Sequence, residues 1–348
     1  MSPSSSAQQR RRFKRLAEVT LVAAVLAPLA GAAQGQTTGS LAAVHARVKA
    51  ATVEILVNDR LTGTGWFATP DGLILTAAHV IGAADQRVEI RRSTGDRQAA
   101  TVEAVDLGKD LALLRLRGEP LPGWTNLQLA PSLPPPGDEV YLLGTPLGNH
   151  FVMLRGMMAR NGTSFVHVTR FGVYKDRYLE VATVAANVAE GNSGGPWFDR
   201  HGRVIGLHCG STNSRETMLG LAFLVPAACI QRFLDAPGQA TTPILGIAVQ
   251  ELWNHAADVV RRFPPRTEGL VITDVQDGGP ADDAGLEPGT LLTRIDGQKV
   301  ALIDRFARIL RAKQPGDSIE LTLLRPDGGV TRNVSVILVD LETTWNAK

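Results

Sequence analysis

A serine flanked by glycines stands in the run Gly191–Pro196, which reads Gly-Asn-Ser-Gly-Gly-Pro. Glycines on both sides of Ser193 favour a sharp turn that exposes the hydroxyl oxygen and points successive backbone N–H groups at one place. Such a turn can hold the oxyanion that forms when a serine attacks a carbonyl carbon. A glycine-rich hairpin turn without a chemical role is the alternative for the same residues.

A nucleophilic serine needs a base, and that base needs a carboxylate to orient it. Among the seven histidines of the chain, His79 alone follows an apolar strand pattern directly into small residues. Asp110 directly precedes the apolar run Leu111–Leu114, and Asp106 is near enough in sequence to be a rival. Each residue alone also suits a structural role, as a strand-end histidine or a turn carboxylate. Because the three types occur in the order His, Asp, Ser within one β-rich stretch, they predict a catalytic triad.

The elements that would position this triad are short β-favouring segments between about Ala50 and Val225, broken by Gly, Pro, Asn and Asp. Many short strands with turn signals between them predict an antiparallel barrel or sandwich rather than alternating βαβ units. A helix is predicted at Pro226–Leu234 and a linker at 236–243. The clearest strand candidates are Thr52–Val57, Gly72–Thr76, Arg87–Ile90, Leu111–Leu116, Glu139–Leu143, Val204–Leu207 and Leu219–Val225.

A second domain is predicted beyond the linker, where fewer strands alternate with two short helical candidates. It contains roughly a hundred residues, a typical domain size. Its helices are predicted at Pro280–Ala284 and Ile303–Ala312. Its strand candidates are Leu245–Val249, Leu270–Val275, Leu291–Ile295, Ser318–Leu324 and Thr331–Val339.

The first 35 residues have the pattern of a secretion signal. Five basic side chains precede an apolar run from Val19 to Ala30, and Ala30–Ala32 supplies the small residues that a signal peptidase needs. Pro28 interrupts the run, which is shorter than the roughly 20 residues that span a bilayer, so a retained membrane anchor is the less favoured alternative. The stretch Arg10–Phe13 half-matches a twin-arginine signal and leaves the export route open.

Charge and cysteine content limit the partners and cofactors. The segment 1–32 carries a net charge of +4, so the formal +2 of the whole chain becomes about −2 without it, and no nucleic-acid partner is expected. Cys209 and Cys229 do not have the spacing of a zinc motif, so we expect neither a metal nor another cofactor. After export the two cysteines could form one disulfide or remain two buried thiols, and the sequence leaves both possibilities open.

Several motifs together resemble the trypsin-like proteases of the HtrA/Deg family, and the similarity covers nearly all of residues 45–235. The motifs are Gly63–Phe67, Asp71–Val80, Asp110–Leu114, Gly144–Gly148 and Gly191–Gly195. The resemblance implies a mainly β protein with a chymotrypsin-like pair of perpendicular six-stranded barrels and the site between them. It also implies that the chain is a serine endopeptidase.

The same resemblance assigns a role to each triad residue. His79 is the general base, Asp110 orients it and Ser193 is the nucleophile. The oxyanion hole lies at Gly191, Asn192 and Ser193, with the backbone N–H groups of Gly191 and Ser193 as its donors.

The resemblance further implies a primary specificity pocket with Asn187 at its base, six residues before Ser193. Proteases of this fold that cut after Lys or Arg carry an acidic residue there. A cationic side chain would meet no counter-charge at Asn187, so we expect cleavage after small or medium aliphatic residues. The expected pocket walls are Leu207, His208, Ala222 and Phe223.

The chain departs from the family pattern close to the serine. It has Ala185 where an aspartate is usual, and Ala189–Glu190 replaces a pair of the Asn-Pro or Asn-Arg type. The segment Arg155–Asp176 is predicted to hold the loops that switch these enzymes between disordered and competent sites.

The C-terminal part resembles a PDZ domain of the permuted bacterial type over about Pro243–Asp340. The motifs are Ile244–Ile247, Gly278–Ala281, Ala284–Gly289 and Ile295–Val300. The resemblance implies that an extended peptide adds to a sheet edge, with its terminal carboxylate at a turn formed by Leu245, Gly246 and Ile247. The helix Ile303–Leu310 would form the other wall. No basic residue lies just before Leu245, and Pro243 has no N–H, so we expect weak capture of the carboxylate.

The sequence therefore predicts a periplasmic serine endopeptidase that acts on unfolded or extended polypeptides and recognises C-terminal peptides. The expected organisation is a signal at 1–35, a protease domain at 36–235, a linker at 236–243 and a PDZ domain at 244–342, and family resemblance implies a homotrimer. The alternatives are a catalytically silent PDZ chaperone and a processing protease with a single substrate.

Overall fold

The computed structural model describes residues 40–83, 85–119, 122–168, 177–213, 220–326 and 331–345. The predicted signal at 1–35 lies outside these described residues. In the described part of the chain, no helix combines the length and the apolar character needed to cross a membrane. Residues Gly39–Lys348 group into one unit by their contacts.

The first six strands close into an antiparallel barrel with the order β1-β2-β3-β6-β5-β4. Apolar side chains fill it, including the fully buried Trp66 and Phe67. A helix, α1 (Leu41–Ala51), precedes the barrel and begins at Ser40, whose side chain accepts the backbone N–H of Ala43. A single helical turn, α2 (Ala78–Ile81), follows the third strand. The strands are β1 (Thr52–Val57), β2 (Arg60–Phe67), β3 (Ile74–Ala77), β4 (Val88–Arg92), β5 (Arg97–Asp106) and β6 (Leu111–Leu116).

A second closed barrel has the order β10-β11-β12-β9-β8-β7 and confirms the double-barrel prediction. Its own core contains the buried Trp197. The helix α3 (Ala227–Asp235) closes this part of the chain within one residue of its predicted position. The strands are β7 (Glu139–Gly144), β8 (Val152–Val168), β9 (Arg177–Ala185), β10 (Pro196–Phe198), β11 (Val204–Asn213) and β12 (Gly220–Pro226).

The segment Arg155–Asp176 is not a loop where the structure describes it. Through Val168 it belongs to the long strand β8, which pairs with β7 on one side and β9 on the other. These two sets of backbone hydrogen bonds hold it extended, so the prediction of loops was wrong for this portion. Residues 169–176 lie outside the described residues.

Both cysteines are buried thiols that are not joined in a disulfide. Burial raises the pKa of the Cys229 thiol to about 11, and the nearby Glu180 carboxylate adds to the effect. The thiolate is the reactive form, so Cys229 is inert at neutral pH.

The C-terminal domain contains a six-stranded sheet in which β14-β15-β16-β18-β19 follow in order and β17 pairs with β16, and α6 packs against this sheet. The apolar stripe Phe306, Ala307, Ile309 and Leu310 attaches α6 to the sheet, and β14 is an edge strand. The helices are α4 (Ala257–Val260), α5 (Pro280–Asp283) and α6 (Ile303–Arg311). The strands are β13 (Pro243–Ile244), β14 (Ile247–Glu251), β15 (Leu270–Val275), β16 (Leu291–Ile295), β17 (Gln298–Lys299), β18 (Ser318–Leu324), β19 (Thr331–Ile337) and β20 (Val339–Asp340).

The end of the chain contacts the turn between β5 and β6. One oxygen of the Glu342 carboxylate accepts the N–H of Leu107 at 3.0 Å and that of Gly108 at 3.4 Å. Arg311 on α6 donates to the Gly108 carbonyl at 2.8 Å. Burial raises the pKa of Glu342 to about 7 although these N–H groups favour its charged form. The C-terminal domain thus contacts the turn that leads into Asp110.

Candidate active site

His79, just after β3, and Asp110, just before β6, form a largely buried pair. Asp110 is 0% exposed, and its Oδ2 lies 2.6 Å from Nδ1 of His79. Its other oxygen accepts the backbone N–H of His79 at 3.0 Å. Two contacts from one carboxylate fix both the backbone and the ring of the histidine, so Nδ1 carries the proton and Nε2 is the nitrogen that can accept one.

The neighbouring Asp106 has a different partner. Its carboxylate accepts the backbone N–H of Lys109 at 2.9 Å and pairs with the Lys109 ammonium group. Asp106 therefore stabilises its own turn, and Asp110 is the carboxylate that faces the imidazole.

The Ser193 turn is pressed against the strands that lead to His79. Thr64 on β2 donates its backbone N–H to the Ser193 carbonyl at 2.8 Å. Gly194 has φ +83°, and a Cβ atom there would lie 2.9 Å from the backbone nitrogen of Ala77 and would overlap the Thr64 carbonyl. Only glycine fits at this approach. Ser193 is partly exposed, and its hydroxyl forms no hydrogen bond with another described residue.

The N–H groups predicted to form the oxyanion hole are oriented by the carbonyls on the other side of their peptide planes. The Glu190 carbonyl accepts the N–H of Leu147 at 2.9 Å, and the Asn192 carbonyl accepts that of Gly195 at 2.9 Å. In a trans peptide the C=O and the following N–H point in opposite directions, so the N–H groups of Gly191 and Ser193 point away from these partners. Neither N–H donates to a described residue, which leaves both available to a substrate oxygen.

Asn192 itself is fully buried behind this turn. Its side-chain amide donates to the Ala189 carbonyl at 2.9 Å, and its Oδ1 atom packs where a side chain on Gly144 would lie. Asn192 therefore supports the turn from the inside.

His208 is a buried neutral histidine behind the serine turn. Its backbone carbonyl accepts the N–H of Gly194 at 2.8 Å, and its N–H donates to the Gly195 carbonyl at 2.9 Å. Its Nδ1 accepts the indole N–H of Trp197 at 3.3 Å. Burial, with a smaller contribution from the nearby His79, lowers the pKa of His208 to about 3. His208 is therefore uncharged at neutral pH, and it positions the turn rather than lining a pocket as predicted.

The predicted pocket residues fall into two groups. Asn187 is exposed, and its side chain packs against the backbone of Gly220; Phe223 is partly exposed. Leu207 and Ala222 are 0% exposed and belong to hydrophobic cores, because their strand positions point into the barrels. In this structure, Asn187 and Phe223 are the predicted pocket residues that can meet a substrate.

The expected peptide groove lies between β14 and α6, above the turn Leu245–Ile247. Gly246 has φ +77°, a conformation that favours glycine, and the N–H groups of Leu245 and Gly246 donate to no described residue. This is a suitable geometry for receiving a carboxylate. A cavity of only about 20 Å³, the size of one water molecule, remains beside the turn.

Residues of the second barrel fill the rest of this groove. Tyr178 on β9 accepts the backbone N–H of Val249 on the β14 edge at 2.9 Å, and its ring packs edge-on against Phe306 of α6 at 5.3 Å. Phe165 on β8 is buried in the same cluster and donates its backbone N–H to Asp304 at 2.8 Å. The barrel therefore occupies positions that an added peptide strand would need.

Comparisons with known proteins agree with this arrangement. A model of the trypsin-like peptidase domain matches residues 63–207, and a model of the PDZ domain matches residues 243–338. A DegP-like periplasmic serine endoprotease of Chlamydia trachomatis serovar D is 26% identical over 293 residues, which cover 82% of this chain and 55% of the relative. A DegP-like protein of Halomonas elongata is 30% identical over 81% of this chain and 57% of its own length. The chain thus spans slightly more than half of these curated relatives.

Solved structures share the fold. The HtrA-type protease AlgW with a decapeptide has a TM-score of 0.59 at 22% identity, covering 86% of this chain and 98% of its own. The serine endoprotease from Yersinia pestis has a TM-score of 0.56 at 21% identity, covering 87% of this chain and 98% of its own. At these identities the structural similarity supports the two-barrel and PDZ architecture.

Proposed function

We propose that this member of the HtrA-type proteins, with a trypsin-like peptidase domain followed by a PDZ domain, is a serine endopeptidase of unfolded or extended polypeptides. The observation that carries the proposal is the buried Asp110–His79 pair, with a 2.6 Å contact, beside the Ser193 turn. In the mechanism, His79 Nε2 takes the hydroxyl proton as Ser193 attacks the scissile carbonyl carbon. The oxyanion binds to the N–H groups of Gly191 and Ser193, and His79⁺, stabilised by Asp110, protonates the leaving amine. Water then hydrolyses the acyl-enzyme by the reverse proton transfers.

Digestion of β-casein tests this proposal. We expect the purified chain to cut casein at many sites, because casein is unfolded and its backbone can enter the site in extended form. Absence of cleavage, together with retained peptide binding, would favour a PDZ chaperone instead.

We also propose that the pocket at Asn187 accepts small or medium aliphatic side chains. The absence of a fixed negative charge at this position supports the proposal, since a buried lysine or arginine would lack a partner. A cleavage profile on a peptide library made from a whole proteome should show Val, Ala, Ile or Leu before the cut and few basic residues. Dominant cleavage after Lys or Arg would contradict it, and a single sharp site would indicate a processing protease.

The proposed site of action is the periplasm. The N-terminal segment 1–35 has the pattern of a secretion signal, and the relatives are named as periplasmic proteins. A homotrimer is proposed by family resemblance, and light scattering of the protein without this segment measures it directly.

We expect replacement of Tyr178 by alanine to raise the affinity of the PDZ domain for C-terminal peptides by about tenfold or more. The substitution removes a buried ring and a hydrogen bond worth about 1 kcal/mol that compete with the peptide for the β14 edge. Calorimetry with a decapeptide ending in an aliphatic residue measures the change, in a Ser193→Ala background that prevents cleavage.

Tyr178→Phe is the matched control for this prediction. It keeps the ring against Phe306 but releases the N–H of Val249, so we expect a smaller gain. Equal or weaker binding by Tyr178→Ala would show that Tyr178 does not compete with peptides.

A further inference from the structure

Glu54 is a fully buried carboxylate in the middle of β1, outside the triad. Its side chain is 0% exposed although β1 otherwise contributes apolar residues such as Val53 and Ile55 to the core. Burying a carboxylate lowers the stability of the folded protein unless hydrogen-bond donors compensate it. A protein with a hydrophobic residue at such a position is often equally stable or more stable. A specific role for the charge is therefore the better explanation.

Three donors converge on Glu54. One oxygen accepts the Thr145 hydroxyl at 2.9 Å and contacts Nδ1 of His150 at 2.6 Å. The other accepts Nε of Arg91, the neighbour of Glu54 on β4, at 2.5 Å. Thr145 and His150 bracket the loop between β7 and β8, so a carboxylate of the first barrel holds a loop of the second.

The same loop also contacts the Ser193 turn. Leu147 in this loop donates its N–H to the Glu190 carbonyl. The Thr145 carbonyl lies so close to Gly191 that a Cβ atom on residue 191 would overlap the carbonyl oxygen. From the other side, Thr64, which pairs with Glu54 across β1 and β2, donates its hydroxyl to the Gly191 carbonyl at 2.9 Å. The peptide planes around Gly191 are thus held between two neighbours of Glu54.

We propose that Glu54 is a positioning residue for the oxyanion hole, acting through Thr145 and the loop that orients the Glu190–Gly191 peptide. The inference rests on the proposed protease function, since it deepens the account of the same site. Without the carboxylate, the loop loses its anchor to β1, the Leu147–Glu190 hydrogen bond weakens, and the Gly191 N–H is no longer aimed consistently at the substrate oxygen.

The test compares Glu54→Gln and Thr145→Val with wild type on a chromogenic peptide substrate. Loss of one oxyanion donor costs about 10²- to 10³-fold in turnover, so partial misalignment should lower kcat by about tenfold or more. We expect KM to change less than about twofold, because ground-state binding does not use the oxyanion donors fully. A peptidyl boronate, which mimics the tetrahedral state, should lose affinity in proportion to kcat. The double variant should be no worse than the poorer single one, since both act through one contact.

Asp199→Asn is the matched control, because it neutralises a largely buried carboxylate that pairs with Arg203 in the second barrel and does not contact the loop. We expect it to lower the melting temperature without changing boronate affinity. If Glu54→Gln and Thr145→Val turn over the substrate at close to the wild-type rate, the inference is wrong. An equal loss of turnover in Asp199→Asn would also overturn it.

Amide hydrogen exchange separates this inference from the protease proposal. The Leu147 N–H should exchange at least about tenfold faster in Glu54→Gln and Thr145→Val than in wild type and Asp199→Asn, whether or not the protein hydrolyses peptides. Unchanged exchange at Leu147 contradicts the role of Glu54. An inactive wild type with the expected exchange pattern contradicts only the protease.

Discussion

Replacement of Ser193 by alanine is expected to lower kcat for casein and peptide substrates by on the order of 10⁵-fold or more. The hydroxyl oxygen is the only atom removed, and with it the covalent acyl-enzyme route. His79 and Asp110 keep their 2.6 Å contact, but no nucleophile remains for them to activate. The measurement is the initial rate of casein digestion, followed by electrophoresis and by release of fluorescent fragments.

The fold should tolerate this change, because the backbone of the turn makes the structural contacts. Thr64 binds the Ser193 carbonyl and His208 binds the Gly194 N–H, and alanine preserves both. Melting temperature and binding of C-terminal peptides should therefore match those of wild type. Equal cleavage by wild type and Ser193→Ala would show that the activity belongs to a contaminant or to another site.

The three residues of the proposed triad stand out in the sequence because each lies at a recognisable local junction. His79 follows an apolar strand, Asp110 precedes one, and Ser193 lies between glycines whose positive φ angles residues with side chains rarely adopt. The two barrels followed from the spacing of short strands and from the motifs. The contact between His79 and Asp110 depends on β3 pairing with β6, and this pairing joins Ala77 to Leu111.

Residues whose contacts join distant parts of the chain had no comparable signal in the neighbouring sequence. Side chains alternate between two faces along β1, so Glu54 lies on the face opposite Val53 and Ile55. An alternating sequence pattern predicts that the Glu54 face is exposed to solvent. It is buried because a loop of the second barrel covers that face, with Thr145 contacting it 91 residues later. Local periodicity carries no information about such a contact.

The occupied peptide groove is a second case of the same kind. The motif around Gly246 indicated the carboxylate turn, and the helix Ile303–Leu310 was placed within one residue of the observed α6. The sequence gives no reason to place Tyr178 at the edge of β14, since nothing local distinguishes it from another aromatic strand residue. Packing between the barrel and the PDZ domain determines its position.

The pocket prediction failed in part for a simpler reason. Leu207 and His208 are adjacent on β11, so their side chains point to opposite faces, and each face is buried by different neighbours. A range of consecutive strand residues cannot all line one pocket. Asn187 lies on the segment between β9 and the serine turn, where no such alternation applies, and it keeps its exposure.

Replacement of Asp110 by asparagine is expected to lower kcat by about 10⁴-fold while leaving the fold intact. Asparagine has the same shape and tolerates the left-handed backbone at this position, where φ is +60°. Its amide oxygen can still accept the backbone N–H of His79. Its NH₂ group then faces Nδ1 and donates, so the ring shifts its proton to Nε2 and can no longer accept one from Ser193.

Asp106→Asn is the control that separates this effect from a general loosening of the β5–β6 turn. It weakens the pairing with Lys109 three residues away but leaves the His79 imidazole untouched, so kcat should stay within about threefold of wild type. Nitrogen-15 spectra of the imidazole should show Nδ1 protonated in wild type and in Asp106→Asn, and Nε2 protonated in Asp110→Asn. If Asp110→Asn retained a tenth of the activity, or if Asp106→Asn lost as much, the orienting carboxylate would have to be reassigned. The Asp110–His79 pair would then only stabilise the fold, and another group would have to orient the imidazole of the catalytic base.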